Sequence, residues 1–177
     1  MKKFELTTES ITFLGRTLFR IKALISFGNV EAGELGGYIE KEENLSHEGD
    51  AWVYGNAEVY GDAWVYGDAK VCDNAKVYGN AKVYGNTWVY GNTEVCDNAE
   101  VYGNADIATI SGFGSEYRTT TFFRTKNDEI AVKCGCFYGT LAEFREKVKE
   151  THGDNRYAKE YLMIADLMEI HFRGEEE

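Results

Sequence analysis

The chain has 177 residues, of which 44% are hydrophobic, and its 30 acidic and 19 basic residues give a formal net charge of −11. A negative charge of this size opposes binding to nucleic acids and anionic membranes, and no apolar segment approaches the ~20 residues of a membrane-spanning helix. We therefore expect no direct nucleic-acid partner and no membrane contact. The start, Met1-Lys2-Lys3, lacks the apolar stretch of a signal peptide, so we expect a cytoplasmic protein whose four cysteines are reduced.

Residues 1–44 predict an N-terminal β cap. Two β-rich runs, 11–14 and 17–24, flank Gly15-Arg16 as a hairpin would. A turn-rich segment, 28–37, then leads into Tyr38-Ile39. The repeat that follows would otherwise expose strand edges and apolar core at its N-terminal end, so we expect this segment to cover it.

Residues 45–110 repeat with a period of six, and clean units read AWVYGN, AEVYGD, AKVYGN and TEVCDN. Self-similarity at a fixed short period indicates a stacked repeat. Strand alternation places the first and third residues, Ala and Val, on one face and the variable residue and Tyr on the other. The Gly-Asn or Asp-Asn pair suits a left-handed corner. Each hexad therefore predicts one short strand and one corner, with Ala and Val pointing inward.

The residues at the variable position predict three hexads per coil. Residues eighteen apart would then stack, and the three rows read Trp52-Lys70-Trp88, Glu58-Lys76-Glu94 and Trp64-Lys82-Glu100. Each lysine lies between Trp or Glu residues, and such cation–π or opposite-charge contacts contribute about 0.5–1 kcal/mol each. Two hexads per coil would instead stack Lys70 on Lys82, which is a like-charge contact. The pattern thus favours a coil of eighteen residues.

The unit Val-Tyr-Gly-Asn-Ala resembles the repeat of the hexapeptide-repeat superfamily, whose members are left-handed parallel β-helices. This resemblance implies a left-handed, three-sided coil and covers about a third of the chain. The wider arrangement has LFRI at 18–21, GGYIE at 36–40 and ENLS at 43–46 before the VYGNA repeats. It is similar to uncharacterised VYGNA-repeat proteins from phages and prophages of Gram-positive bacteria, so we expect a protein of phage or mobile-element type.

Residues 111–177 predict a β-hairpin followed by two α-helices. The hairpin strands are 119–125 and 129–136. Thr140 and Glu143 have the capping-box spacing that begins a helix, and Gly153 ends it. A second helix is predicted over 155–172. Its buried face is expected to contain Tyr157, Tyr161, Ile164, Ala165 and Met168.

The sequence therefore predicts a mainly β protein in three segments. These are an N-terminal β cap (1–44), a left-handed, three-sided parallel β-helix of about four coils with eighteen residues per coil (45–110), and a C-terminal hairpin with two helices (111–177).

The outward aromatic and acidic residues of the repeat predict a protein-binding surface. Tyr and Trp bury large areas at low entropic cost and dominate interface energies. The candidate binding residues are Trp52, Tyr54, Glu58, Trp64, Tyr66, Tyr84, Trp88, Glu94, Glu100 and Tyr102. We expect a non-catalytic binding or scaffold protein that self-associates and contacts a protein partner. A basic host protein is one candidate for this partner. The alternative is that these rings stack as ladders that stabilise the coil.

Two other functions, a nucleic-acid-mimicking inhibitor and an acyltransferase, are alternatives. An acidic rod could mimic nucleic acid and inhibit a host defence or regulatory protein. Its charge would come from Glu58, Asp62, Asp68, Asp73, Glu94, Asp97 and Glu100. A hexapeptide-repeat acyltransferase would need a histidine as general base. The weak candidates are His47, which the repeat places at a valine position of the first hexad, and His152. The lone Cys134-Gly-Cys136 lacks the second ligand pair of a metal site, so we expect no metal and no cofactor.

Overall fold

A β-solenoid of about four turns dominates the first part of the chain, and an antiparallel sheet with two α-helices follows it. The computed structural model describes residues 1–173; residues 174–177, the end of the predicted C-terminal module, lie outside the described residues. The chain divides into two units, Met1–Asn104 and Ala105–Glu177. The mainly β prediction, the repeat β-helix and the two C-terminal helices are confirmed.

Three longer strands precede nine strands of two residues each, one per hexad. The longer strands are β1 (Phe4–Phe13), β2 (Arg16–Ala23) and β3 (Leu35–Ile39). The short strands are β4 (Trp52–Val53), β5 (Glu58–Val59), β6 (Trp64–Val65), β7 (Lys70–Val71), β8 (Lys76–Val77), β9 (Lys82–Val83), β10 (Trp88–Val89), β11 (Glu94–Val95) and β12 (Glu100–Val101).

The short strands pair in three parallel ladders. The first ladder contains β4, β7 and β10, the second contains β3, β5, β8 and β11, and the third contains β6, β9 and β12. Within the repeat, paired residues are eighteen positions apart: Trp64 lies opposite Lys82, and Lys82 lies opposite Glu100. The rows read from the variable positions are therefore present as paired residues.

The first and third residues of each hexad form the interior. Every valine from Val53 to Val101 at the third position is at most 1% exposed. Thr87 and Thr93 replace Ala in the interior, and their hydroxyls donate to the backbone oxygens of Tyr84 (2.8 Å) and Tyr90 (2.7 Å). Because these hydroxyls are hydrogen-bonded, the two threonines are buried without an unsatisfied polar group.

The corners require the left-handed conformation that glycine favours. Where Asp replaces Gly, at Asp73 and Asp97, φ is still +60° and +56°. Asp tolerates this region better than most side chains. At Gly85 (φ +64°) a Cβ would collide with the carbonyl oxygen of Tyr102 in the next coil. Glycine is therefore needed at Gly85 both for its conformation and for the close stacking of coils.

The N-terminal strands extend the second ladder. The strand order is β1-β2-β3-β5-β8-β11, with β1–β2 and β2–β3 antiparallel and β3–β5 parallel. The hairpin turn lies at Leu14-Gly15, one residue before the predicted pair, and both residues have positive φ. Phe13 and Leu18 of this hairpin pack in a cluster with Tyr60 of the repeat.

A buried lysine joins the first strand to the start of the repeat. Lys3 is 1% exposed, and its ammonium donates to the backbone oxygens of Gly49 (3.1 Å) and Ala51 (2.8 Å). The same ammonium lies 4.7 Å from the ring centre of Phe27. Burial lowers the pKa of Lys3 from 10.5 to about 8, against the opposing effect of the Asp50 carboxylate.

The solenoid begins before the first clean hexad. Ile39 lies opposite Val59 and Leu45 lies opposite Val65, both with a spacing of twenty residues instead of eighteen. Leu45 is 2% exposed and takes the inward valine position. The prediction that His47 occupies that position is therefore wrong: two additional residues in this coil shift the register and place His47 outside.

The second unit contains a four-stranded antiparallel sheet, β13-β14-β15-β16, and two helices. The strands are β13 (Ile107–Ile110), β14 (Thr120–Arg124), β15 (Ile130–Cys134) and β16 (Phe137–Thr140). The helices are α1 (Leu141–His152) and α2 (Arg156–Arg173). Within residues 1–173, no helix has the length and apolar character needed to span a membrane.

Helix α1 starts with the predicted capping box: Glu143 N donates to Thr140 Oγ1 (3.3 Å), and Thr140 N donates to Glu143 Oε2 (2.8 Å). The two flanking strands of the sheet were not predicted. Ile107–Ile110 reads as a degraded hexad, and Phe137–Thr140 is too short to show an alternating pattern. On α2 the expected apolar face is buried except at Tyr157, which is half-buried.

Replacing Val77 by Asp should destabilise the solenoid by roughly 3–5 kcal/mol, because an unpaired carboxylate would be buried in the middle coil. Urea unfolding followed by circular dichroism measures the change. Asn80→Asp is the matched control, since it adds the same charge at an exposed corner. Equal stability of the two variants would contradict the inward assignment of Val77.

The buried Lys3 should make stability rise with pH above about 8. Its pKa is lowered in the folded state, so between about 8 and 10.5 the unfolded chain binds more protons than the folded chain. The gain is at most about 1.4 kcal/mol per pH unit. Urea unfolding across the lower part of this window should show a steeper rise for the wild type than for Lys3→Met.

Lys2→Met is the control for this measurement, because the Lys2 side chain is 53% exposed and pairs with Glu42 at the surface. Its pH dependence should follow the wild type. If the free energy of unfolding of Lys3→Met rises with pH as steeply as that of the wild type, folding does not lower the pKa of Lys3, and the prediction is contradicted.

Candidate functional site

The predicted binding residues lie on three different ladders and do not form one patch. The first ladder carries Trp52, Tyr54 and Trp88, and the second carries Glu58 and Glu94. The third ladder carries the largest group, Trp64, Tyr66, Tyr84, Glu100 and Tyr102. Each ladder differs in how much of its outer surface the N-terminal strands cover.

The second ladder is partly covered by the N-terminal hairpin. Tyr60 is 7% exposed, with its ring centre 5.8 Å from that of Phe13. Lys76 lies 3.8 Å from the centre of the Phe13 ring, and its ammonium pairs with Glu58 at 3.1 Å. Only 13% of the Glu58 side chain is exposed. Glu58 therefore has little surface for a partner, and Glu94 accepts a hydrogen bond from the Tyr78 hydroxyl.

On the first ladder, Trp52 is fully buried, which corrects its assignment as an exposed residue. Its ring packs edge-on against Phe4 (6.2 Å between ring centres) and Phe27 (5.4 Å). Both phenylalanines come from the N-terminal segment, which therefore covers the Trp52 ring. Trp88, at the equivalent hexad position, is 48% exposed, with the Lys70 ammonium 4.8 Å from its ring centre.

Tyr54, also on the first ladder, is half-buried, and burial raises the pKa of its phenol. Tyr90 occupies the same hexad position two coils later and is 58% exposed. Cys72 stands between them, in the intervening coil, so no continuous column of rings forms on this ladder. Cys96, the other cysteine of the repeat, follows β11 on the second ladder.

The third ladder carries a continuous aromatic column, which we define as Trp64, Tyr66, Tyr84 and Tyr102. Ring centres are 4.0 Å apart between Trp64 and Tyr66 and 4.7 Å apart between Tyr66 and Tyr84, with interplanar angles of 24° and 4°. Tyr84 and Tyr102 are 5.1 Å apart and tilted by 58°. The column is exposed at its ends, where Trp64 and Tyr102 are 43% and 64% accessible.

Stacking decides which part of each ring a partner can contact. The faces of Tyr66 and Tyr84 are occupied by neighbouring rings, so these residues present edges and hydroxyls to solvent. The Tyr84 hydroxyl is 3.4 Å from Glu100 Oε1, to which it donates. Burial raises the pKa of Tyr66, whose phenol is in any case uncharged at neutral pH. The aromatic column therefore offers a neutral, polar-edged surface beside which Lys82 and Glu100 lie as paired residues.

Several corner carboxylates are engaged within the chain. Asp62 pairs with the Lys41 ammonium at 2.7 Å. Asp73 accepts the backbone N–H of Gly91 at 2.9 Å, and Asp68 accepts that of Asp50 at 3.2 Å. Some of the acidic character of the repeat therefore supports its turns and N-terminal contacts.

Neither histidine candidate lies in a coil of the clean repeat. His47 Nδ1 accepts the backbone N–H of Lys3 (3.1 Å), which places the ring proton on Nε2, 2.7 Å from Glu42 Oε1. Its ring also stacks on Phe4 at 4.3 Å. In this arrangement His47 has no free lone pair for a substrate proton, and the hydrogen bond from His47 lowers the pKa of Glu42.

His152, at the end of α1, belongs to the second unit, with its ring centre 5.9 Å from that of Tyr161. The two histidine candidates thus belong to different units. Within the described residues, no cluster of three or more His, Cys, Asp or Glu side chains could hold a metal ion.

Comparison with known proteins supports the repeat. A family model described as the YdcK beta solenoid repeat matches residues 75–91, which include β8, β9 and β10. No curated protein matches the chain. The match covers about a tenth of the chain, so it identifies the kind of repeat without assigning an activity.

Replacing Tyr84 by Ser should cost about 1–3 kcal/mol, because its ring contacts a neighbour on each side and each aromatic pair contributes about 0.5–1.5 kcal/mol. Denaturant unfolding measures the loss. Tyr90→Ser, at the same hexad position on the first ladder, should change stability by less than about 0.5 kcal/mol because Tyr90 is mostly exposed. Equal losses would mean that the stacked rings do not stabilise the coil.

Proposed function

We propose that this is a non-catalytic binding or scaffold protein that contacts a protein partner through the third ladder. The observation that carries the proposal is the aromatic column, in which large side chains stack on one another and remain exposed at both ends. Tyr and Trp in rigid settings are the residue types that supply most interface energy.

The chemistry around the column favours a basic partner surface. Residues 45–110 carry 10 acidic and 3 basic side chains, and Glu100 lies beside the stacked rings. The partner we expect is a protein with exposed Lys or Arg side chains, which can pair with such acids and pack on the edges of tyrosines. A bacterial host cytoplasm is the expected location, following the resemblance to phage VYGNA-repeat proteins.

We also propose the finer geometry of the repeat: a left-handed, three-sided coil whose N-terminal end is capped by residues 1–44. Three parallel ladders with pairs eighteen residues apart support the three sides. The hairpin pairs onto β3 at the N-terminal edge of the second ladder, which supports the cap. Left-handedness follows from the resemblance of VYGNA to the hexapeptide repeat.

Self-association is part of the proposal. Helix α2 exposes Met163 (72%), Leu167 (54%) and Ile170 (71%) on one stripe, spaced as i, i+4 and i+7. A second copy presents the same stripe, so two identical faces can meet about a two-fold axis. Burying these side chains between copies would remove an exposed apolar patch from water.

The two other functions stay predictions. Of the acids that would mimic nucleic acid, Glu58, Asp62 and Asp73 already contact groups of this chain, so no structural observation favours that role. For an acyltransferase, the hydrogen bonds of His47 leave its ring nitrogens occupied, and His152 stays the weak alternative.

An affinity pull-down from host-bacterium lysate tests the proposal, with the mass of the purified protein measured by light scattering. The wild type should capture a stoichiometric basic partner and behave as a homo-oligomer. A variant carrying Trp64→Ser and Tyr102→Ser should lose most of the partner, because both changes remove exposed aromatic residues from the third ladder.

The control variant carries Trp88→Ser and Tyr90→Ser, which remove exposed aromatic residues from the first ladder, and should retain the partner. Capture by the third-ladder variant at the wild-type level would contradict the proposed surface. A partner that is released by salt but retained by both aromatic variants would favour the nucleic-acid-mimicking alternative. A monomeric mass would contradict the proposed self-association.

A further inference from the structure

The second unit contains a cavity of about 300 Å³. Its walls come from α1, from the turn between β15 and β16, and from the loop that precedes β14; Tyr161 of α2 contributes to its floor. This volume is at the lower end of the range for small-molecule sites, which is about 300–1,000 Å³. All of the lining residues belong to residues 105–173, so the cavity is a property of this unit alone.

The floor of the cavity is apolar and largely aromatic. Phe144 is 3% exposed, Tyr161 is 7% exposed and Val148 is 4% exposed, and Phe137 completes this surface. The Phe144 ring lies 5.6 Å from Phe137 and 5.6 Å from Tyr161, centre to centre. A flat apolar group entering the cavity would exchange water for contacts with these rings.

The rim of the cavity carries two cationic side chains, although the whole chain has a charge of −11. Arg118, Lys147 and His152 line it, and among the described lining residues Glu116 is the one acid. Arg118 pairs with Glu116 at 3.6 Å and Lys147 pairs with Glu150 at 2.8 Å, with all four side chains more than half exposed. Exposed pairs of this kind contribute little, so a ligand carboxylate can compete for the guanidinium.

Two glycines hold the wall and the rim in place. A Cβ on Gly114 would overlap the hydroxyl of Tyr161, so the loop lies directly on this ring. The Gly114 N–H also donates to Glu160 at 3.1 Å. A Cβ on Gly135 would overlap the guanidinium of Arg118, which therefore lies against the turn between β15 and β16. The loop and the Arg118 guanidinium are thus closely packed against neighbouring groups, and a well-packed site lowers the ordering cost of binding.

We propose that this cavity binds a small molecule that has a flat apolar body and a carboxylate. The body lies against Phe137, Phe144 and Tyr161, and the carboxylate faces Arg118 and Lys147. A buried aromatic floor beside the Arg118 and Lys147 cations, whose surface ion pairs are weak, matches an amphipathic anion better than a cation of the same shape. The site belongs to a different unit from the third ladder, so its occupancy does not depend on the proposed function.

The test uses the full chain, reduced and at neutral pH, with three probes of nearly equal shape. These are 2-naphthoate, 2-naphthalenemethanol and 2-naphthylmethylammonium, which carry a negative, no and a positive charge. Isothermal titration calorimetry should give the highest affinity for 2-naphthoate, about ten-fold or more above the ammonium probe. Amide NMR shifts should map to residues that line the cavity.

Two variants separate the rim from the floor. Arg118→Gln should weaken 2-naphthoate about five-fold and leave 2-naphthalenemethanol unchanged, because it removes only a charge-assisted contact. Thr151→Trp, at an exposed position lining the cavity, should fill the space and abolish binding of all three probes. Arg173→Gln, which removes an arginine that does not line the cavity, is the control and should bind like the wild type.

Each variant must first show the wild-type amide spectrum for residues away from the cavity, which confirms that it is folded. If Thr151→Trp is misfolded, a second cavity-filling variant, Val148→Phe, replaces it. Absence of 2-naphthoate binding to the wild type overturns the proposal. So does equal affinity for the carboxylate and ammonium probes, or unchanged binding in both Arg118→Gln and the folded cavity-filling variant.

Discussion

The solenoid depends on backbone hydrogen bonds between successive coils. The amide of the residue after each of the strands β4 to β9 donates to the carbonyl oxygen of a valine in the next coil, as in Tyr54 N to Val71 O (2.7 Å) and Tyr84 N to Val101 O (2.9 Å). The strands have only two residues, so none can be stable alone, and each coil needs the coil beside it. A slip of one residue would turn the valines outward, which explains why the six-residue period holds so strictly from Ala51 to Asn104.

This constraint explains which features could be read from the sequence. The inward Ala and Val positions, the stacked rows and the corners repeat in every hexad, so local pattern and tertiary structure agree. Trp52, Trp64 and Trp88 occupy the same hexad position, yet Trp52 is buried and the others are exposed, because only Trp52 meets Phe4 and Phe27. Likewise, the shifted register at Leu45 depends on a longer first coil, and no repeat pattern reveals an irregularity that occurs once.

The aromatic column links stability with the candidate binding surface. Ring faces stabilise the stack, while the edges of the middle rings and the exposed ends at Trp64 and Tyr102 remain for a partner. The sequence predicted ten residues of one surface but could not decide between interface and ladder, because both uses need outward rings at regular spacing. The geometry assigns the two uses to different rings. Tyr84 lies between two neighbouring rings, as a stabilising ladder requires, whereas Tyr102 is mostly exposed, as an interface requires.

The cavity of the second unit, unlike the repeat, leaves no pattern in the sequence from which it could be predicted. Its lining comes from four separated segments, around residues 115–118, 134–137, 144–152 and Tyr161, and no motif connects them. The total charge of −11 also misleads here, because salt screens exposed charges beyond roughly 10 Å and a ligand responds to the groups within that distance. Arg118 and Lys147, with the Glu116 and Glu150 carboxylates that pair with them, therefore define the chemistry of the rim more than the many acids elsewhere. Net charge predicts the electrostatic interaction of the chain with large partners. The ligand that a small cavity can bind depends on the local arrangement of its lining side chains.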